Sequence, residues 1–552
     1  MFTIDQNCHS LWDVVPKLQA LSARGLSVRH FIEDVDAAFT ALGSSPDQSD
    51  LLRSPSRSSS RPGGHRLARE RFYRGGGSDW GAAMFYSEFL GRLPVEIRRW
   101  EEFTGLKTAV LARQLGRSVD DLYDEYSPGD NWQLIGSSYV ADQHHHRIIA
   151  DLTVSETAPF LVELFEKARG NMQAAFPQEA SRRRLTDWFT DERHRLDQMI
   201  AQWPHGRLAE LYHAWLRQCV GGQVQIDFLS NLLPARDGSA GAEMLRVFCQ
   251  RYQEAATLYN QALEETGSDL RPLDMHNGEL PFFATTEHHG HLVRTGVLLT
   301  GRTVRIDDRE FKVALDGSVS MRELTSAGVR CLVGKAVLLA IQVRLGEQGQ
   351  PLALPYRGSL YMPAAARLAG KLSAANMLPG KLQPLLRVRF RLLDRLKDLD
   401  TVIVLPEHLH GYFGGSEIPA RRLGEEYAAV ASQAAAGLEA FRTPQGRRRW
   451  QEENFPGLLQ EMAELDRRRR QLAKIDPKSP EIRDVWKRMK AIQVRLLDQA
   501  LRRIARDWQA RDIDYWDSRG ALLPWSIALG GREFYGDLIA RAEVYEEPGI
   551  VK

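Results

Sequence analysis

Pro-Leu-Ala-Leu-Pro-Tyr-Arg-Gly-Ser at 351–359 and Thr-Val-Ile-Val-Leu-Pro at 401–406 carry most of the fold prediction. Each begins as a short apolar run that ends at Pro, which is typical of a buried β-strand. Helical periodicity follows the first run over 363–375. Strands that alternate with helices favour a parallel, doubly wound sheet with helices on both faces. The sequence therefore predicts an α/β fold that is rich in helix.

The regions on either side of these strands show other patterns. The first 43 residues have helical periodicity, which predicts helix over 11–21 and again over 28–42. From His291 to Leu315 the period changes to two, which predicts a small antiparallel meander. Thr325 and Ser326 are residue types that cap a helix, and we expect that helix to run to about residue 345. The segment 132–139, WQLIGSSY, is typical of a buried strand that enters a Gly/Ser turn.

Two apolar stripes at helical spacing follow residue 455. Prolines between them, in Asp476–Pro480, force a break. This pattern predicts an antiparallel helical hairpin with a coiled-coil core. The run Arg467–Arg470 is either the solvated face of that hairpin or a docking face for a partner helix or an acidic ligand. The stripes contain Leu458, Met462, Leu465 and Leu472, then Ile482, Val485, Met489, Ile492 and Leu496.

Four segments follow from these patterns. We predict an N-terminal helical segment over 1–43, and a flexible linker rich in Ser, Pro and Arg over 44–69. An α/β nucleotide-binding-like core with a helical insertion would span 70–440. The helical hairpin and a C-terminal tail would occupy 441–552.

Composition limits the class of protein. The chain has 552 residues, 43% of them hydrophobic and 26% charged, which is ordinary for a soluble protein with a sizeable core. No run approaches the ~18 apolar residues of a membrane span, and the start lacks a signal-peptide pattern. The four cysteines lie far apart, which favours the cytoplasm. Without a long apolar run we expect no membrane partner, and a net charge of +2 disfavours a nucleic-acid partner.

Histidine clusters are the main signal for a catalytic site. His144 and His146 follow the LIGSS turn and lie beside Asp142, which on a helix would share a face with His146. Imidazole and carboxylate at that spacing can bind a divalent metal or move a proton, whereas a polar helix start is the structural alternative. Asp274 and His276 lie in a polar run before GELPFF, which is either a functional loop or a structural turn.

Position in the predicted sheet adds weight to other residues. Glu407 and His408 directly follow TVIVLP, and ligands of open α/β sheets bind beyond the carboxyl ends of strands. The same argument selects the turn after PLALP, where Arg357 could pair with an anion and helix N–H groups could bind it. An ordinary strand–turn–helix with an Arg ion pair is the alternative. The predicted anion-binding residues are Gly136, Ser137, Ser138, Tyr356, Arg357, Gly358 and Ser359.

Several enzyme classes lack their motifs here. No GxSxG, HExxH, Walker loop, kinase set or EF-hand loop is present. Serine hydrolases, zinc proteases and P-loop NTPases are therefore disfavoured, and the catalytic candidates remain His144, His146, Asp274, His276, Glu407 and His408. We assign no metal site, although a divalent metal remains open at the histidine clusters.

The order of these segments resembles the putative cysteine-adding enzymes of bacillithiol biosynthesis and their uncharacterised relatives. The resemblance rests on GELPFF (278–283), VRCLVGKAVLL (329–339), ALPYRGSLY (353–361), TVIVLP, the hairpin at 458–511 and GREFY (531–535). It departs early in the core, where the family has a Gly-Gln-type turn and this chain has Ile-Gly-Ser-Ser. The resemblance implies a Rossmann-like core, a nucleotide-like ligand, and a condensation of an amino compound with a small acceptor.

The leading hypothesis is a cytoplasmic ligase or transferase that acts on a small molecule. ATP or ADP is the candidate cofactor, and the hairpin could pair with itself in a homodimer. The alternative is a non-enzymatic scaffold that binds a partner through the hairpin. A nucleic-acid binder is a third, weaker option, and it predicts a steep loss of affinity with salt.

Overall fold

A computed structural model gives the fold of this chain. It describes residues 1–4, 11–36, 89–91, 97–117, 122, 146–268, 270–346, 349–357, 361–519 and 522–547. The predicted linker at 44–69 and the predicted strand at 132–139 lie outside these residues.

The strands are β1 Phe2–Ile4, β2 Val28–Ile32, β3 His146–Arg147, β4 Val224–Phe228, β5 Glu279–His288, β6 His291–Thr300, β7 Thr303–Ile306, β8 Arg309–Lys312, β9 Cys331–Gly334, β10 Leu352–Pro355, β11 Leu385–Arg389, β12 Val402–Val404, β13 Glu417–Pro419 and β14 Glu543–Glu546.

The α-helices are α1 Leu11–Ser22, α2 Ile97–Thr104, α3 Thr108–Leu115, α4 Val154–Ala175, α5 Glu179–Gln202, α6 Leu208–Val220, α7 Leu229–Leu232, α8 Ala240–Gln250, α9 Tyr252–Glu265, α10 Met321–Ser326, α11 Ala336–Gln342, α12 Met362–Ala374, α13 Leu392–Arg395, α14 Glu407–Phe413, α15 Ala420–Phe441, α16 Pro444–Asn454, α17 Pro456–Ile475, α18 Pro480–Arg511 and α19 Leu522–Arg541.

A six-stranded mixed sheet forms the centre of the fold, in the order β14-β11-β10-β1-β2-β4. The five strands from β11 to β4 are parallel, and β14 pairs with β11 in the antiparallel direction. The predicted α/β fold is confirmed at this level, and so is the strand predicted at 351–355. Because β1 and β14 lie at the two ends of the described chain, this sheet joins both ends.

Strand side chains point alternately to two apolar cores. Phe2, Ile4 and Phe31 pack in one core with helices α8, α9, α11 and α12, whereas Val28 and Ile32 pack in the other with α1, α5 and α6. A sheet buried on both faces needs continuous apolar strands rather than alternating ones. In β2, Val28, Phe31 and Ile32 meet this requirement, whereas the buried His30 is accommodated by a hydrogen bond with Thr3.

Two of the predictions for secondary structure are wrong. Helix was predicted over 28–42, but Val28–Ile32 is a strand whose backbone pairs with β1 and β4 on either side. Apolar residues at 28, 31 and 32 fit both periods, and the sheet pairing decides between them. Thr325 and Ser326 were predicted to begin a helix, but they end α10, which Ser320 caps. Gly328 then turns with φ +85°, Cys331–Gly334 pairs with β5, and within the rest of the predicted range, to about residue 345, only Ala336–Gln342 is α-helical.

The strand predicted at 401–406 exists but lies elsewhere. Val402–Val404 pairs with Glu417–Pro419 in an antiparallel two-stranded sheet, apart from the parallel one. Its central residue Ile403 is fully buried. The segment is apolar because it is buried, although it does not belong to the main sheet.

The predicted meander is confirmed and is larger than expected. Strands β6, β7 and β8 are antiparallel neighbours, and the sheet continues through β5 to β9. Residues 279–283 of GELPFF begin β5, and the polar run that was predicted to be a loop or a turn lies directly before this strand.

The C-terminal helix pair α17 and α18 is antiparallel. Arg488 lies 3.0 Å from Glu461, and Arg468 lies 3.1 Å from Glu481. The start of α17 is therefore paired with a later part of α18, and the later part of α17 with the start of α18. Leu465, Val485, Ile492 and Leu496 fill the space between them. At the other end of α18, Leu501, Ile504 and Trp508 pack against α2 and α3. No helix among the described residues is long and apolar enough to cross a membrane.

The turn into β5 provides a test of the fold. Gly278 has φ +71°, and a Cβ there would overlap the carbonyl oxygen of Leu299, whereas Gly290 has φ +80° and open space. Gly290→Ala carries only the left-handed penalty of about 1–2 kcal/mol. We expect Gly278→Ala to lower the free energy of unfolding by at least ~2 kcal/mol more, because backbone must also move. Urea unfolding of both variants measures this, and equal losses would contradict the described turn.

Candidate functional site

The order of the parallel strands reverses between β1 and β10. From β1 the chain adds β2 and β4 on one side, and it later adds β10 and β11 on the other. In open α/β sheets this reversal opens a crevice at the carboxyl ends of the two strands. Tyr356 and Arg357 directly follow β10 at that edge, as the sequence predicted.

Arg357 is held by two carboxylates. Its Nη1 donates to Asp514 and its Nη2 donates to Asp512 at 2.8 Å. Burial by itself would lower the pKa of the guanidinium, but the two acidic neighbours outweigh it and raise that pKa above its ordinary value. Tyr356 also donates to Asp514, over 3.3 Å. An anion at Arg357 would therefore compete with Asp512 and Asp514.

A second ion pair lies at the end of the neighbouring strand, β11. Arg389 Nε donates to Asp517 at 2.7 Å, and the Arg389 guanidinium lies 3.9 Å from the centre of the Tyr356 ring. Asp517 is 1% exposed and also accepts from the Leu393 N–H. These partners come from the segment after α18, which the sequence analysis did not select. The available signal was a group of three acids within six residues, at 512, 514 and 517.

Asp34 lies beyond β2 at the same edge and was also missed. It is 4% exposed, and it accepts the N–H of Ser230 at 3.0 Å and the hydroxyl of Ser230 at 2.6 Å. Burial raises the pKa of Asp34 to about 6, although the Ser230 hydrogen bonds act to lower it. This carboxyl group therefore changes protonation near neutral pH, which is uncommon for aspartate.

Glu407 and His408 line a cavity of about 850 Å³ at the base of the hairpin. They begin α14, where Pro406 ends the extended segment after β12. Trp450 and Phe455 line the same cavity, and their ring centres are 5.3 Å apart. The volume is in the range of small-molecule sites in proteins. The predicted place of these two residues at the main sheet is wrong, but they do face a cavity.

Three arginines of α18 also line this cavity: Arg502, Arg503 and Arg506. Arg503 donates to Asp507, which is fully buried and also accepts the Tyr412 hydroxyl at 2.6 Å. Arg506 Nε is buried and makes no hydrogen bond to a described residue, but it lies 3.6 Å from a carboxylate oxygen of Asp507 and forms an ion pair with it. Guanidinium groups that line a cavity can bind an anionic ligand, which here would compete with Asp507.

The cavity and the sheet edge are joined by the end of α18. Gln509 lines the cavity, and Asp512, three residues later, binds Arg357. Along the backbone, Gln509 and Asp512 are separated by less than one helical turn, a rise of about 4.5 Å.

Asp274 and His276 lie in a different groove, of about 1230 Å³, which shares no lining residue with the first cavity. Asp274 accepts the backbone N–H groups of His276 and Asn277 and the Asn277 side chain, and these hydrogen bonds lower its pKa. Nearby, Glu279 is buried and pairs with Lys335 and with Arg271. This arrangement is that of a well-bonded turn before β5.

The remaining predicted residues are outside the described structure or only partly within it. His146 contributes its backbone to β3, paired with Arg294, and its side chain is not described. Within the described ranges, no three His, Cys, Asp or Glu side chains form a group that could hold a metal ion. The residues outside are Gly136, Ser137, Ser138, His144, Gly358 and Ser359.

Neither the protein-family models nor the curated proteins nor the solved structures contain a match to this chain.

Asp34 predicts an unusual pH dependence of stability. The pKa of Asp34 is higher in the folded state than in the unfolded state. The stability that comes from burying the protonated carboxyl is therefore fully present below pH ~4 and is lost as pH rises through about 6. We expect Asp34→Asn to match the wild type near pH 4 and to be more stable at pH 7. The gain should be on the order of 2–3 kcal/mol, as a shift of about two pKa units implies. Urea unfolding at both pH values measures it.

Glu156 provides the control of opposite sign. It binds Arg147 and caps α4 through Thr153, and despite the effect of burial these contacts lower its pKa. Glu156→Gln should therefore lose stability at pH 7 and lose less as pH falls through the folded pKa. A gain in Asp34→Asn that is independent of pH would contradict the ionisation of a buried Asp34.

Proposed function

We propose that this chain is an enzyme of the ligase or transferase type that binds a nucleotide or another phosphorylated small molecule. The observation that carries the proposal is the reversal of strand order between β1 and β10 in a parallel sheet. Such reversals are where open α/β sheets bind their ligands. The joining of an amino compound to a small acceptor is the reaction that the family resemblance implies.

The strand order supports a Rossmann-like core. Numbered along the chain, the parallel strands lie in the order 3-2-1-4-5 from β4 to β11, and a sixth, antiparallel strand follows. That order belongs to dinucleotide-binding folds, although no glycine-rich fingerprint follows β1 here. A nucleotide would therefore be held by groups other than that loop.

We place the phosphate end of the ligand at Tyr356 and Arg357. The rest would extend past the end of α18 into the cavity of Glu407 and His408. There Trp450 could contact a ring, and Arg506, whose Nε makes no hydrogen bond to a described residue, could donate to a carboxylate or a phosphate.

In this arrangement His408 is the candidate general acid or base. Its imidazole lines the cavity, and imidazole can take a proton from an amine nucleophile near neutral pH. Glu407 is the neighbouring carboxylate. Asp274 and His276 stay secondary candidates because their groove is separate, as do His144 and His146. ATP or ADP, with a divalent metal, is the proposed cofactor, and the separated cysteines favour a cytoplasmic enzyme.

Binding of nucleotides tests this proposal. Thermal shift of the full chain would be measured with ATP, ADP and AMP, each with and without Mg²⁺. A nucleotide at about 100 times its Kd should add ~2.7 kcal/mol of apparent stability. Asp514→Asn removes a competing charge from Arg357, so we expect it to enlarge the nucleotide-induced shift. Arg357→Gln should abolish that shift.

The unliganded melting temperatures of both variants are the control. If Arg357 serves only to hold the segment after α18, both substitutions lower that temperature and neither changes the shift caused by nucleotide. That result, or no shift with any nucleotide in the folded wild type, would contradict the proposed site.

The alternative function is a scaffold that binds a partner through a coiled-coil hairpin. It is favoured by the packing of α17, whose extensive contacts are with α16 and α18 of its own helical region. A homodimer formed by two hairpins is one version of this alternative. Light scattering gives the mass in solution, and a monomer would remove that version.

A further inference from the structure

The net charge of +2 conceals a strong asymmetry. Residues 467–490, which we call the distal hairpin, contain ten Lys and Arg but three Asp and Glu. Their net charge is therefore +7, and the rest of the chain carries −5. A net charge near zero disfavours a polyanionic partner when it is averaged over the whole chain, but the distal hairpin taken alone is strongly basic.

Some of these cations are already paired and others are free. Arg468 pairs with Glu481 and Arg488 pairs with Glu461 between the helices, while Arg469 and Arg470 share Asp466. Four further cations are exposed and make no ion pair with any described residue. They are Lys474, Lys478, Arg483 and Lys490.

The free cations of α18 surround an exposed aromatic ring. Trp486 is 55% exposed, which is unusual for tryptophan. At about 100° per residue, Arg483, Trp486 and Lys490 lie within roughly 60° of arc on the helix. The same periodicity places Glu481 and Arg488 about 140–160° away from Trp486. The ring and its two cations therefore share a face that is not used for the interhelical ion pairs.

Three kinds of partner could meet a basic face of this sort. An anionic membrane would require a broad apolar face, but the apolar side chains of the hairpin point inward and only Ile475 and Trp486 are largely exposed within it. Protein interfaces are depleted in lysine and have an apolar centre, which this face lacks. An aromatic ring among unpaired cations is the combination that binds single-stranded nucleic acid, by stacking on a base and by contacts to phosphates.

We propose that the distal hairpin is a binding surface for single-stranded nucleic acid, with Trp486 as the stacking residue and Arg483 and Lys490 as phosphate contacts. The surface is separate from the proposed enzyme site, and the two proposals can fail independently. Binding would be weak in sequence preference, because every base has a stacking face.

Fluorescence anisotropy of the full chain with fluorescein-labelled dT20 and rU20 tests the proposal at 50 mM and 200 mM KCl. We expect binding at 50 mM KCl that weakens steeply at 200 mM KCl. Trp486→Ala should weaken binding by about 5-fold or more, as the loss of one stacked base predicts. Arg483→Glu together with Lys490→Glu should reduce the slope of log K against log salt by about 1.4, for two phosphate contacts.

The matched control is Arg448→Glu together with Arg449→Glu on α16. Both arginines are 80% exposed, and the double change alters the net charge by the same amount. It should leave affinity within about 2-fold if the distal hairpin is the binding surface. All substituted residues are exposed, and circular dichroism confirms that each variant is folded.

Three results would overturn the proposal. The first is no binding of either oligonucleotide at 50 mM KCl. The second is an equal loss in the control variant and the distal variants, which would show a general charge effect. The third is binding to vesicles containing phosphatidylglycerol, lost in Trp486→Ala, without binding to either oligonucleotide.

Discussion

The pairing of β1 with two neighbours is the constraint on which the fold depends. Three residues, Phe2–Ile4, bind β2 on one side and β10 on the other, and so join the two halves of the parallel sheet. A buried hydrogen bond of 2.7 Å between the Thr3 hydroxyl and His30 ties β1 to β2 through side chains as well. Without this short strand, the edge formed by β2 and β4 would have no connection to β10 and β11, and the reversal of strand order would not exist.

Sequence patterns predicted the class of the fold but not most of the strands of its central sheet. The hairpin, the meander and the strand at 351–355 carry strong local signals: prolines, period-two alternation, and a closed apolar run. β1 has three residues and β11 ends in alternating arginines, so neither offers enough length for a period to be read. For β2 the period was ambiguous, and its strand state is decided by partners distant in sequence. The segment 401–406 shows the converse, since a strong local signal identified a strand but not the sheet that contains it.

The site was predicted in part for similar reasons. Residues placed by a strand end, such as Arg357, could be found because strand and turn are neighbours in sequence. Their partners could not, because Asp512 and Asp514 lie more than 150 residues away and follow a helix that local patterns assign to the hairpin. The arginines of α18 that line the cavity were not selected as site residues, because the sequence of a helix does not show which distant residues its charged side chains meet. Long-range contact, which one sequence does not reveal, decides both cases.

The contact between β1 and β10 also has a consequence for folding during synthesis. Phe2 pairs with Leu352, so about 350 residues must be synthesised after β1 before its second neighbour exists. At roughly 5–20 residues per second this is on the order of 20–70 s. During that interval an apolar strand edge is open, and such edges are where chains aggregate or pair wrongly. The antiparallel strand β14 pairs with β11 at the far edge of the sheet and is synthesised after the other described strands, so until then that edge depends on other protection.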